Sequence, residues 1–170
     1  MSIDAGAPGH AALTALLASD PGGVLEDLAV RHGVTLREAL DCLPVENRSA
    51  VAGTHFGEIM ADVTGWGEVT LLVNTGDVIL ECKGVLPSGR FGRGYYNLDG
   101  GPVGGHLRAD RCAAIYFVRR PFMGHDSQAL WFINHDGQAM FKIFLGRNPD
   151  RSLKADQVRR FRDLRDRLEP

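Results

Sequence analysis

Eight of the chain's 21 glycines fall between Gly84 and Gly105, in GVLPSGRFGRGYYNLDGGPVGG, and His106 follows at once, opening GHLRADRCAAIYFV. Glycine at this density permits tight turns and close backbone approach to a flat ligand, because no Cβ forbids positive φ. A histidine delivered by such a loop to the start of an apolar strand is a metal-ligand candidate, since neutral imidazole is a good donor near neutral pH. The competing reading is a glycine-rich hairpin followed by a structural histidine.

Around this segment stand the aromatics Phe91, Tyr95, Tyr96, Phe117, Phe122 and Trp131 and the arginines Arg90, Arg93, Arg119, Arg120 and Arg147. A planar, apolar, dianionic macrocycle with a metal at its centre would use each type: aromatic walls for the ring, guanidinium for the carboxylates, imidazole for the iron. Haem is such a ligand. Each residue also has an ordinary structural role open to it, because aromatics fill cores and arginines populate surfaces.

Other chemistries find little support. None of the six histidines lies in HExxH or a comparable spacing that would assemble a zinc site on one element. There is no GxSxG elbow, and the glycine-rich run lacks the Lys-Ser/Thr ending of a phosphate loop. Cys42, Cys82 and Cys112 are far apart, without CxxC spacing, and read as buried reduced thiols of a cytoplasmic protein. A formal net charge of −2 leaves no global footprint for nucleic acid or an anionic membrane surface. The opening MSIDAGAPG does not read as a secretory signal, and no apolar run reaches membrane-spanning length.

The elements that must position these residues divide the chain in two. Residues 1–44 predict a small helical segment: AALTALLAS ending at Asp20-Pro21, then GVLEDLAVRHG and VTLREALDCL, divided at Gly33 and closed by Pro44. Its helix-turn-helix register invites a DNA-binding reading, which Glu38 and Asp41 on the presumed recognition helix oppose. Residues 45–170 predict an antiparallel β domain with a C-terminal helix, from the short apolar runs EVTLLVNT, DVILECKG, GYYNLDG, GHLRA, CAAIYFVRR, ALWFINHD and QAMFKIFLG. Asp136-Gly137 marks a hairpin between the last two. In AMFKIFL, Ala139, Phe141, Ile143 and Leu145 alternate with Met140, Lys142 and Phe144, so both strand faces are largely apolar and both need a cover. A partner subunit is one such cover, and the expectation is a homodimer. Lys142 is expected to reach a ligand carboxylate or to snorkel to solvent. The closing SLKADQVRRFRDLRDRL is expected to be an amphipathic helix capped by Ser152, with Asp156–Arg160 and Asp163–Arg167 pairs.

VTLLVNTGDVILECKGVLPSGRFGRGYYNL, then GHLRADRCAAIYFVRRPFMGHDSQALWFINHDGQAMFKIFLGR, with Gln157 and Phe161 in the last helix, resembles the HutX/ChuX haem-utilisation carrier family. The likeness runs from about Gly22 to Leu168, and the order LPSG, GHLRA, FMG, FKIFLGR makes it specific. The resemblance implies an α+β fold: a split-barrel-like antiparallel sheet with flanking helices and the small N-terminal helix-turn-helix-like segment. It implies a cytoplasmic homodimer that holds haem, as ferric protoporphyrin IX, and passes it on. It identifies His106 as the axial ligand; of the other histidines, His125 and His55 are the weaker alternatives, each with a loop or capping role open to it, and His135 reads as a turn-flanking residue. Arg90, Arg93, Tyr95 and Asn74 complete the expected haem-binding set; Asn74 stands where some members carry a second histidine. Two further readings stay open at this point: a haem-degrading enzyme of the related family, and a haem-responsive helix-turn-helix regulator.

Overall fold

A computed structural model of the chain describes residues 7–169. Residues 1–6, on which most of the leader reading rests, lie outside the described part, as does residue 170.

Three helices come first, α1 (Ala7–Ser19), α2 (Leu25–His32) and α3 (Leu36–Asp41). Gly33 ends α2 with φ +65 and donates its N–H back to Ala29 and Val30, a left-handed cap that a side chain would resist. Thr35 and Glu38 open α3 with a reciprocal capping box. The strand β1 (Arg48–Ala52) and helix α4 (Phe56–Val63) follow, and neither was expected from the sequence. The strands β2 (Glu68–Asn74) and β3 (Ile79–Val85) then lead into β4 (Gly89–Gly92), β5 (Tyr95–Leu98) and β6 (Gly105–Leu107). The long hairpin of β7 (Cys112–Phe122) and β8 (His125–Asn134) precedes β9 (Ala139–Phe144) and the closing helix α5 (Ala155–Leu168).

The strands form two open antiparallel sheets, one of six strands in the order β1-β7-β8-β9-β2-β3 and one of three in the order β4-β5-β6. Through the middle of β7 and β8 consecutive residues are buried, because successive side chains enter two different cores. On one face Ile115, Phe117, Leu130 and Phe132 pack with α4, α5 and the small sheet. On the other, Tyr116, Val118, Ala129 and Trp131 pack against Leu13, Leu25, Leu36 and Leu40 of α1–α3. The presumed DNA-reading helix α3 thus buries Leu36, Ala39 and Leu40 in this second core.

The apolar character of β9 on both faces is explained within one chain, since it lies inside the sheet between these cores. A register shift beside Ile133 moves Ala139 onto the α1–α3 face, so it does not side with Phe141 and Ile143 as simple alternation expects. Lys142 is buried against Trp131 and paired with Glu26 of α2, neither snorkelling nor reaching outward. In α5 the N-cap is Lys154 with no side-chain cap, so Ser152 does not serve. Arg167 reaches across to Asp62 at 2.8 Å rather than back to Asp163. Gln157, fully buried, donates to the carbonyls of Trp66 and Glu68 and accepts from the Gly146 N–H at 2.6 Å, fastening α5 to the start of β2.

Candidate functional site

The three-stranded sheet that carries His106 is built on a two-residue turn. Arg93 and Gly94 both have positive φ, +52 and +82, the pairing a type I′ hairpin demands, and Gly92 pairs with Tyr95 across it. Alternation then sorts the strands. Tyr96, Leu98 and Leu107 turn inward to the core around Phe56, whose ring meets Tyr96 edge-on at 5.6 Å. Gly89 leaves room for the Tyr96 ring, since a Cβ there would stand 2.3 Å from it.

The opposite, outer face displays Arg90, Asn97 and His106 as a cross-strand row, in register from β4 through β5 to β6. Tyr95, two residues before Asn97, shares this face, and its ring meets that of His106 at 5.8 Å. The Arg108 guanidinium lies 5.9 Å from the Tyr95 ring. It also grips Asp110 through two hydrogen bonds of 2.8 and 2.6 Å, which hold the Asp110 carboxyl below its usual range. Arg90 pairs loosely with Asp99 at 3.3 Å, with both side chains exposed.

His106 itself is exposed, and its Nδ1 lies 2.6 Å from Asn97 Oδ1. Its Nε2 makes no hydrogen bond among the described residues. An imidazole held through Nδ1, an aromatic ring beside it and cations nearby fit the donor set of a metal-centred, carboxylate-bearing macrocycle. Among the described residues no cluster of three His, Cys, Asp or Glu side chains forms a protein-only metal cage.

Of the residues singled out in the sequence, His106, Tyr95, Arg90 and Arg93 are thus brought to one small sheet. Asn74 is not. It ends β2 on the other face of the large sheet, where it lines a cavity of about 230 Å³ with Leu72, Ile79, Trp131 and Phe144. Its Oδ1 accepts the Gly76 N–H at 2.9 Å in a tight turn. His125 begins β8, exposed, with Arg151 at 3.4 Å. His55 precedes α4 and faces Glu58 at 3.3 Å, and His135 flanks the Asp136-Gly137 turn.

Three of the arginines are tied to backbone carbonyls: Arg119 to Glu46, Arg120 to Pro21 and Gly23, and Arg147 to Asp126 and Arg151. Burial pulls the Arg120 pKa down to about 10, although Glu26 and Asp20 favour its charge. Phe117 and Trp131 belong to the cores. All three cysteines are free; Cys42 and Cys112 are buried and Cys82 is half-buried. The residues that sequence reasoning overlooked are Asn97 and Arg108. The period-2 pattern of Tyr95-Tyr96-Asn97-Leu98 carried the signal for Asn97, because it puts Asn97 beside Tyr95 and away from the buried Tyr96 and Leu98.

These features define an α+β protein with open antiparallel sheets, flanking helices and a histidine displayed on a small sheet. Residues 49–164 match the family model Haem utilisation ChuX/HutX, and the chain belongs to that family. It is 35% identical over 151 residues to the intracellular heme transport protein HutX of Vibrio cholerae, a match spanning 88% of this chain and 78% of that protein. A crystal structure of a protein from Erwinia carotovora superposes with TM-score 0.90 at 42% identity, covering 92% of this chain and 98% of the other. The structure of the heme-binding protein ChuX superposes with TM-score 0.86, also at 42% identity, over 93% of this chain and 99% of that one.

Proposed function

We propose that this protein is a non-enzymatic carrier that binds ferric haem in the cytoplasm and passes it on. The observation that carries the reading is the outer face of the small sheet, where His106 presents Nε2 beside Tyr95, in one cross-strand row with Arg90, with Arg108 near the Tyr95 ring and Arg93 in the adjoining turn. Membership in the haem-utilisation family and the names of its HutX and ChuX relatives support it. In this reading haem is cargo. His106 supplies the axial donor, Tyr95 lines the porphyrin edge, and Arg90 and Arg93 meet the propionates as charge-assisted hydrogen-bond donors.

The second element of the proposal is a homodimer. β3 is an edge of the large sheet, and Ile79 and Leu80, which point to opposite faces, are 62% and 63% exposed. An apolar edge bare on both faces invites a second copy. Asn74 lies at the end of β2 beside this edge, on the far side of the sheet from the core under His106. In this reading it meets the haem held by the His106 of a second copy, across the interface between the two.

The deciding experiment is a haemin titration followed by addition of reductant under air. We expect saturable binding with a shifted Soret band, weakened by His106→Ala, and recovery of intact haem after reduction. Stoichiometric opening of the tetrapyrrole would replace the carrier with an enzyme. Unchanged spectra and affinity in His106→Ala would move the ligand elsewhere, with His125 first to be tested.

A further inference from the structure

We propose that Asn97 is the positioning residue that sets the tautomer of His106, so that Nε2 is delivered as the unprotonated donor. The inference rests on the reading of His106 as the haem ligand for its purpose, but its geometry stands on the apoprotein alone.

The argument starts from the Asn97 amide. Its Nδ2 lies 3.2 Å from the carbonyl oxygen of Arg90, 3.1 Å from that of Gly92 and 3.3 Å from that of Tyr95. Carbonyl oxygens only accept, so the amide end facing all three must be the NH₂ that donates. The reversed amide would aim an oxygen at three oxygens. With Nδ2 so committed, Oδ1 is the atom 2.6 Å from His106 Nδ1. An amide oxygen accepts only, and therefore Nδ1 carries the proton. A neutral imidazole has one N–H, so the lone pair lies on Nε2, the edge free to meet a metal.

The carbonyls that orient Asn97 belong to β4 and to the first residue of β5, on either side of the Arg93-Gly94 turn. The hairpin geometry is thereby passed through one side chain to the ring on β6. This is the arrangement by which an outer hydrogen-bond partner orients a metal-binding histidine and fixes its tautomer. Here a neutral carboxamide takes the place of a carboxylate, so the imidazole is oriented without a full negative charge at its back.

The test reads the tautomer directly. Nitrogen and carbon NMR of histidine-labelled apoprotein, at a pH where the ring is neutral, should show His106 as the Nδ1–H form. Asn97→Leu, checked by circular dichroism for an unchanged fold, should populate the Nε2–H form. A wild-type His106 already in the Nε2–H form, or a tautomer ratio unaltered by Asn97→Leu, overturns the proposal. In haemin titrations Asn97→Leu should weaken binding about tenfold and have no further effect in a His106→Ala background. Equal losses in both backgrounds would mean that Asn97 merely holds the turn, and the positioning role would fall. If His106→Ala leaves haemin affinity unchanged, the ligand assignment fails while the tautomer measurement still stands.

Discussion

The Lys142 ammonium lies 3.6 Å from the centroid of the Trp131 ring, in the interior between the large sheet and the N-terminal helices. Lys142 is 5% exposed, and its carboxylate partner among the described residues, Glu26, comes from α2. Burial lowers the lysine's pKa, and the Glu26 carboxylate works against that shift. A charge placed here is tolerable only while ring face and carboxylate both remain.

Stranding the buried lysine should therefore cost more than removing it, because Glu26 is the more exposed of the two. Glu26→Ala should destabilise the protein by about 3 kcal/mol, the scale for stranding a buried charge, whereas Lys142→Met should be nearly neutral. The double variant should be more stable than Glu26→Ala alone. Urea denaturation at pH 7 checks all three, and a Glu26→Ala midpoint equal to wild type would show that Lys142 reaches water.

Alkaline stability follows from two buried acids. Burial pushes the Cys112 thiol up to about 11 from 9.0, and burial with the hydrogen bond to Asp41 pushes the Tyr116 hydroxyl up to about 12 from 10.0. A raised folded pKa means that the native state holds its proton longer than the unfolded chain. The stabilisation is complete below the unfolded values and is lost as pH climbs through the folded ones. Unfolding free energy should thus fall between about pH 9 and 12. Tyr116→Phe should flatten the upper part of that decline, and an unchanged slope in denaturant titrations would exclude Tyr116 as its source.

Phe56 joins the two sheets. Its ring meets Tyr96 of the small sheet at 5.6 Å, and Phe132 and Phe141 of the large sheet at 5.3 and 6.0 Å. Phe56→Ala should cost about 3–5 kcal/mol and loosen the His106-bearing sheet first. Amide exchange in β4–β6 should accelerate more than in β7 and β8; uniform acceleration would mean that the two sheets open as one.

Association can be tested at β3. Leu80→Lys should lower the mass seen by sedimentation from dimer to monomer, because a charge on an exposed apolar edge opposes pairing. Asn74→His should then discriminate: we expect a high-spin ferric spectrum in the wild type, and a low-spin shift on Asn74→His only in the associating protein. A low-spin shift in the monomeric background would place Asn74 and His106 on one haem within a single chain.

Much of this architecture is legible in the residues. The β7–β9 runs, the Asp136-Gly137 turn and the cap at Gly33 each carry a local signal strong enough to place them. The helix α4 and strands β1 and β4 were missed for identifiable reasons. β4, with sequence GRFG, is half glycine and owes its conformation to pairing with β5, while α4 is only eight residues long and is held by packing around Phe56. His106, Tyr95 and Arg90 are close in sequence, which made their grouping legible, but their sharing one face comes from the register of β4, β5 and β6. The separation of Asn74 was not legible, because which side of a sheet a strand end faces depends on pairing between β2, β3 and β9. The burial of Lys142 was invisible for the same reason: its partner lies 116 residues away.

The two faces of the large sheet each contain one of the chain's two tryptophans, Trp66 with α5 and the core beneath the small sheet, Trp131 with α1–α3. The indole N–H of Trp66 is anchored to Asp62 at 2.6 Å, whereas Trp131 lies under a cation, so the two emit from electrically different surroundings. Replacing either by phenylalanine leaves a protein with a single tryptophan, which red-edge excitation reads apart from the three tyrosines. Paired recordings from the two variants would then time events on the two sides of the sheet separately, without any label attached.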